Sequence, residues 1–374
     1  MKKITPRVAI TIYFFFLGFV FSSWASHIPD VKDKFSLNDA ELGSILFMLP
    51  LGALCSLPFS GLLISKIGSR WMSIMSLVFY VLTLLAISIV YSTFQLSIVL
   101  FLFGMFGNFG NISLNAQGIS IQQYMNKSIL SSLHAMWGVG AFTAAAFTDW
   151  MMEEDKTMQE HYGIIAISML VVVLPLFFVL VNDPKQENGS QKVFAWPTKA
   201  LLLLGLISFC GAMSEGTMAD WSSLYYRQVS NQPHVVSALG YTAFALFMSV
   251  GRFIGDPLIE RWGHSAILKA NGILITIGMF TVLVSTIPAI VMLGFALVGL
   301  GVSSIFPVVY ILASKEKSML PSAALAAVSS IGFIGFLIGP PIIGFIAEAV
   351  GLRSALLAVV ILGVLIFLLA KRRE

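Results

Sequence analysis

Twelve apolar stretches, each about as long as a bilayer is thick, fill nearly the whole chain. They run over about 7–28, 41–64, 71–91, 95–122, 129–150, 161–181, 199–223, 236–258, 267–286, 289–313, 321–347 and 352–370. A helix rises about 1.5 Å per residue, so roughly 20 apolar residues cross a hydrocarbon core about 30 Å thick. Backbone groups in lipid must find partners within their own segment, so each stretch reads as a spanning helix. Hydrophobic residues are 57% of the chain and charged residues only 11%, the latter gathered in the gaps between stretches. No gap is long enough to build a water-soluble core, so an all-α membrane protein is expected.

Orientation follows from lysine and arginine. With the N-terminus in the cytoplasm, Lys32, Lys34, Lys156, Arg227 and Arg353 fall outside and the other 17 of the 22 basic residues inside. Such a bias places both termini in the cytoplasm of a multi-pass plasma-membrane protein, the inner membrane in a bacterium. It also accounts for the net charge of +4, so the expected partner is the lipid bilayer and not nucleic acid. Lys2 and Lys3 before an apolar run look like a secretory signal. The run is too long for a signal core, though, and an even number of crossings requires it to stay. Cys55 and Cys210 both lie inside spans, which implies neither a disulfide nor a metal framework. There is no GxxxxGK[ST], HExxH, paired CxxC or GxSxG. No enzyme, cofactor or metal is expected, and any work must come from a gradient.

The polar segment NDPKQENGSQKVFAWPT (182–198) separates six spans from six. We expect an N-terminal bundle over 1–182, a cytoplasmic linker over 183–198 and a C-terminal bundle over 199–374. A shift of 195 residues lays Lys66-Ile67-Gly68 on Arg261-Trp262-Gly263 and Phe103-Gly104 on Val298-Gly299. A shift of 188 lays Glu160-His161-Tyr162-Gly163 on Glu348-Ala349-Val350-Gly351. Two pseudo-symmetric six-helix bundles are an architecture of secondary transporters, with solute held between them near the midplane.

GLLISKIGSR (61–70) resembles the Gly-x₃-Asp-Arg-x-Gly-Arg-Arg signature of the major facilitator superfamily, with Ser65 in place of the usual Asp. GRFIGDPLIERWG (251–263) is similar and keeps more of the pattern, with Arg252, Asp256 and Glu260 stacked at helical spacing before Arg261. MNKSILSSLHAMWGVG (125–140), EGTMADW (215–221), GLGVSSIFPV (299–308) and GFLIGPPIIGFIAEAVGLRSALL (335–357) resemble a YbjJ-like subfamily, distantly similar to fucose permeases. The resemblance implies transport by a monomer. It also implies a cytoplasmic gate of Lys66, Gly68, Arg70, Arg252, Asp256, Glu260 and Arg261.

Several intramembrane polar residues are candidates for the site. In the fourth span Asn108, Asn111 and Asn115 share one helical face, which serves either as interhelical glue or as hydrogen-bonding groups for a hydroxylated solute. Relatives of the fucose-permease kind carry an acid where Asn111 stands, so this span is not expected to carry protons. His134 and Trp137 of the fifth span share a side, and His134 is either a neutral binding partner or a titrating one. Trp24 and His27 lie near the outer end of the first span, as an interfacial anchor or an entrance lining. Glu215 lies about 24 Å from the cytoplasmic start of the seventh span, in its outer half, where an unpaired carboxylate suits proton coupling or else fixes a helix break. Asp220 reads as a rim residue. Gly335, Gly339, Pro340 and Pro341 in the eleventh span form a candidate hinge. Proton symport of a small polar, sugar-like solute by alternating access is the leading expectation. The alternative is proton-antiport export of amphipathic compounds or metabolites, although WGVGAFTAAAFTDW (137–150) lacks the proline of drug antiporters.

Overall fold

A computed structural model describes residues 5–125, 129–182, 198–230, 238–316 and 321–370. The expected linker lies, except for residue 198, outside the described residues. The described residues form helices joined by turns, with no strand among them. These are α1 (Pro6–Ser26), α2 (Ile28–Lys34), α3 (Asp39–Leu46), α4 (Met48–Ile89), α5 (Thr93–Met125), α6 (Leu130–Glu153) and α7 (Met158–Leu176), which ends in a 3₁₀ turn, Phe177–Val179. After the linker come α8 (Lys199–Ser230), α9 (Leu239–Trp262), α10 (His264–Val284), α11 (Pro288–Val302), α12 (Ile305–Ser314), α13 (Pro321–Val350), α14 (Leu352–Ala355) and α15 (Leu357–Leu369).

Local chemistry sets the ends. Thr5 caps α1 by accepting from the Val8 N–H, and Pro6 occupies the first turn, where its missing donor costs nothing. Thr157 and Glu160 make a reciprocal capping box at the start of α7. Nine helical segments among the described residues are long and apolar enough to cross a membrane. One of them, Asp39–Ile89, contains two crossings, because Gly68 takes φ 83° and ψ 154° and breaks the helix direction there. The more polar α6 and α9 complete the twelve. The sequence spans agree closely, except that α8 continues to Ser230.

The chain divides into two compact units, one from residues 1–35 and 45–189, the other from 36–44 and 190–374. Residues 36–44, expected with the first six spans, thus group with the second unit. There the Asp39 N–H donates to Glu348 at 3.0 Å, and a Cβ on Gly43 would lie 2.6 Å from the Pro340 carbonyl oxygen.

Each unit repeats the same contacts at the 195-residue shift. A Cβ added to Gly104 on α5 would lie 1.9 Å from the Leu49 carbonyl oxygen on α4; one on Gly299 of α11 would lie 2.3 Å from that of Phe244 on α9. A Cβ added to Gly140 on α6 would lie 2.0 Å from the Phe15 carbonyl oxygen of α1, and one on Gly335 of α13 2.4 Å from that of Phe209 on α8, the glycines matching at 195 and the carbonyls one residue short of it. Gly68 and Gly263 share positive φ, 83° and 79°, at matching bends. The 188-residue shift has no such counterpart: Gly163 lies inside α7, whereas Gly351 takes φ 85° ahead of α14.

Candidate functional site

In the first unit, α1 and α6 meet backbone to backbone. The absence of side chains at Gly18 and Gly140 lets Trp137 and Phe15 offer carbonyls across the contact. That close approach sets Phe14 edge-on to His134, centroids 5.3 Å apart, and Phe21 beside Trp137 at 5.9 Å. From α5, Asn115 reaches the same place. Its Oδ1 lies 3.0 Å from His134 Nε2, and its Nδ2 donates to the Asn111 side-chain oxygen at 3.0 Å and to the Asn111 carbonyl at 2.8 Å. Asn111, Asn115 and Trp137 are half-buried and His134 is exposed. The result is a short amide–imidazole chain beside two aromatic rings.

Asn108 belongs elsewhere. Its Nδ2 donates to the Ala53 carbonyl at 3.1 Å and to Ser56 Oγ at 2.7 Å, joining α5 to α4. The stripe read from the sequence is therefore split: Asn108 binds helix to helix across to α4, while Asn111 and Asn115 bond to each other and to His134.

The second unit carries Glu215 on α8 and Arg252 on α9, with Arg252 Nη2 3.5 Å from Glu215 Oε1. Both side chains are largely covered, at 15% and 23% exposure. Two expectations change here. Glu215 has a cationic partner, and because α8 runs to Ser230 it stands midway along the helix, about 24 Å from one end and about 22 Å from the other. Arg252 lies about 15 Å from the Trp262 end of α9, where its guanidinium faces Glu215. The polar face around Glu215 serves packing. Gly211 lies against Ile305, Gly332 against Ser208, and the Ser222 hydroxyl turns back to the Met218 carbonyl. Asp220 is half-buried on the same helix.

Of the other expected gate residues, Lys66, Gly68 and Arg70 stand at the bend of α4 in the first unit, and Glu260 and Arg261 at the end of α9 in the second. Arg70 stacks on Phe177 at 4.3 Å and donates to the Phe177 carbonyl at 2.9 Å and to Asn182 Oδ1 at 3.2 Å. Lys66, Glu260 and Arg261 are exposed, and the Asp256 side chain lies outside the described residues. Gly68 makes the bend. Sequence reasoning passed over Gln117, the fully buried centre of this region: it donates to Ser69 Oγ at 2.6 Å and to the Val181 carbonyl at 2.8 Å, and accepts from the Val181 N–H at 3.2 Å. It lies off the stripe of the other amides, which is why periodicity did not find it. As for the hinge, α13 runs unbroken through Pro340 and Pro341. Gly335 is pressed against Phe209, whereas a Cβ on Gly339 would lie 3.6 Å from the Met213 side chain, an ordinary contact distance.

Two repeated helical units with polar and charged side chains held at membrane depth define a polytopic transporter and not an enzyme. The profile of the Major Facilitator Superfamily matches residues 10–318 and 236–374, and the chain belongs to that superfamily. It is 34% identical to the membrane protein MosC of Rhizobium meliloti, over 98% of this chain and 89% of that one. It is 22% identical to the glucose/mannose transporter GlcP of Bacillus subtilis, over 87% and 85% of the two chains. The nucleoside transporter NupG, in a mutant form, superposes with a TM-score of 0.81 at 13% identity, over 98% of both chains, a likeness of fold.

Proposed function

We propose that this transporter is a proton-coupled symporter of a small polyhydroxylated solute, a sugar or a nucleoside, working by alternating access in the cytoplasmic membrane with both termini inside. The observation that carries this reading is the Asn111–Asn115–His134 chain beside Trp137 and Phe21. Amide and imidazole edges satisfy hydroxyl groups in both donor and acceptor senses, and an aromatic face covers the apolar side of a sugar or base ring. The relatives named for glucose and mannose and for nucleosides move ring-bearing, hydroxyl-rich solutes, which supports the same class. Segment 335–357 supports placing the chain in the YbjJ-like subfamily.

Coupling is assigned to the Glu215–Arg252 pair. A proton on Glu215 cancels its attraction for Arg252 and frees both side chains to change partners, a two-state event suited to gating. Arg70, Gln117 and the bend at Gly68 hold the cytoplasmic end of the first unit, and the glycine–proline segment 339–341 serves as a deformable stretch of α13.

Melting of the purified protein in glucose, mannose, uridine and adenosine tests the solute class, because a ligand of the native state raises Tm. At least one of these should raise it, and Asn115→Ala should remove the shift. A stabilising response only to organic acids or to amphipathic cations would refute the reading.

A further inference from the structure

The end of α1 remote from the N-terminus carries a chain of titratable groups that the transport reading leaves unused. His27 closes α1. Its Nδ1 lies 2.5 Å from Asp30 Oδ2 on α2, and its Nε2 lies 2.8 Å from His161 Nδ1 on α7. Burial deepens along the chain: the Asp30 side chain keeps 22% exposure, that of His27 4%, and His161 is fully buried. His161 Nε2 has no hydrogen-bond partner among the described residues. Rings surround it, Phe147 at 5.2 Å and Tyr162 at 5.6 Å between centroids, and the Tyr162 hydroxyl donates elsewhere, to the Ser23 carbonyl at 3.3 Å. Nearest in the chain, the packed elements carry Lys32, Asp33 and Lys34 on α2, Asp149 and Glu153 on α6, and Glu160 and Tyr162 on α7; further along lie Arg7 and Tyr13 on α1, Cys55, Lys66, Arg70 and Tyr80 on α4, and His134 on α6. Lys34 extends to the Ser88 carbonyl of α4 at 2.9 Å, and the Glu160 carboxylate is engaged by Thr157. α5 carries no charged residue.

Counting protons shows what the chain can do. Each of the two short gaps needs one proton. With Asp30 ionised and both imidazoles neutral, His27 Nδ1–H fills the first gap and His161 Nδ1–H the second. That leaves a bare lone pair on buried His161 Nε2 and a charge of −1 summed over the three groups. One proton taken from water changes both. His27 becomes imidazolium against Asp30 and donates through Nε2 to His161 Nδ1, and the proton of His161 moves to Nε2. The trio is then neutral, the form that burial favours.

We propose that Asp30, His27 and His161 form a one-proton binding site, loaded from water through Asp30, whose occupancy switches the tautomer of His161. The site gives the α1–α2–α7 corner a response to acidity that needs neither solute nor Glu215.

The test is ¹⁵N spectroscopy of histidine-labelled full-length protein in nanodiscs, with His27→Gln and His161→Gln assigning the signals. On acidification His27 should become imidazolium while His161 passes from Nδ1–H to Nε2–H at the same midpoint. Asp30→Asn removes the countercharge and should weaken proton binding at least about tenfold. Separate midpoints, one unchanging His161 tautomer, or a midpoint indifferent to Asp30→Asn would each overturn the proposal. Should Asp30→Asn fail to fold, the tautomer record of the unaltered chain decides alone.

Discussion

Asn108 and Asn115 share one stripe of α5 and use their amides differently, so truncating them should separate stability from binding. Asn108→Leu loses two bonds to α4 and leaves Ser56 Oγ without this donor, a cost of about 1–3 kcal/mol. Its Tm should fall while solute affinity holds. Asn115→Ala opens a half-exposed position, so Tm should hold while affinity drops about tenfold, the worth of one net hydrogen bond. Ligand-dependent melting curves of the two variants decide both. At the charged pair, Glu215→Gln should abolish accumulation driven by a pH gradient while solute exchange at equal pH persists, read by labelled-solute flux in proteoliposomes. These residues were only partly legible in the sequence. Helical periodicity grouped the amides correctly by face, but it cannot tell which amide finds Ala53 and Ser56 across the gap. Glu215 was visible as an intramembrane carboxylate, yet its partner lies 37 residues away on another helix, a distance that spacing rules do not cover.

Helices of this chain touch through glycine. Where a carbonyl occupies the place of a missing Cβ, even a methyl group overpacks the contact, so Gly140→Ala and Gly335→Ala should each destabilise by about 1–3 kcal/mol. Gly263→Ala tests a different cause: no atom lies within 4 Å of its added Cβ, yet φ is +79° with ψ 160°, a region that essentially only glycine enters and that costs an L residue about 1–3 kcal/mol. Gly163→Ala, in open space within α7, should be neutral or stabilising by up to about 1 kcal/mol. Thermal unfolding of the four variants in one detergent gives the ranking. Element positions were largely readable beforehand, because lipid leaves a long apolar segment few alternatives to a helix. The glycines that seam the helices were readable only as a composition. The 195-residue repeat aligned Gly104 with Gly299, but that both meet a carbonyl emerged only from the packed structure. Pro340 and Pro341, read as a candidate hinge, lie inside a continuous α13.

For the molecule as a whole, the excess of basic residues in alternate gaps predicts that reporters fused before Pro6 and after Ala370 both report the cytoplasm. A reporter inserted beside Asp155, where φ is 54° in the turn between α6 and α7, should report the outside. Paired alkaline-phosphatase and fluorescent-protein fusions would read each site, and termini on opposite faces would contradict the twelve-crossing architecture. The carbonyl-on-glycine seams carry one more implication, for how such a chain drifts over generations. The atoms nearest the missing Cβ of Gly140 are the backbone O, C and Cα of Phe15, so a change of the Phe15 ring leaves the joint itself in place, whereas Gly140 has nothing smaller to become. Natural variation across these joints should therefore be one-sided, the glycine frozen and its neighbour constrained only by what its side chain does elsewhere.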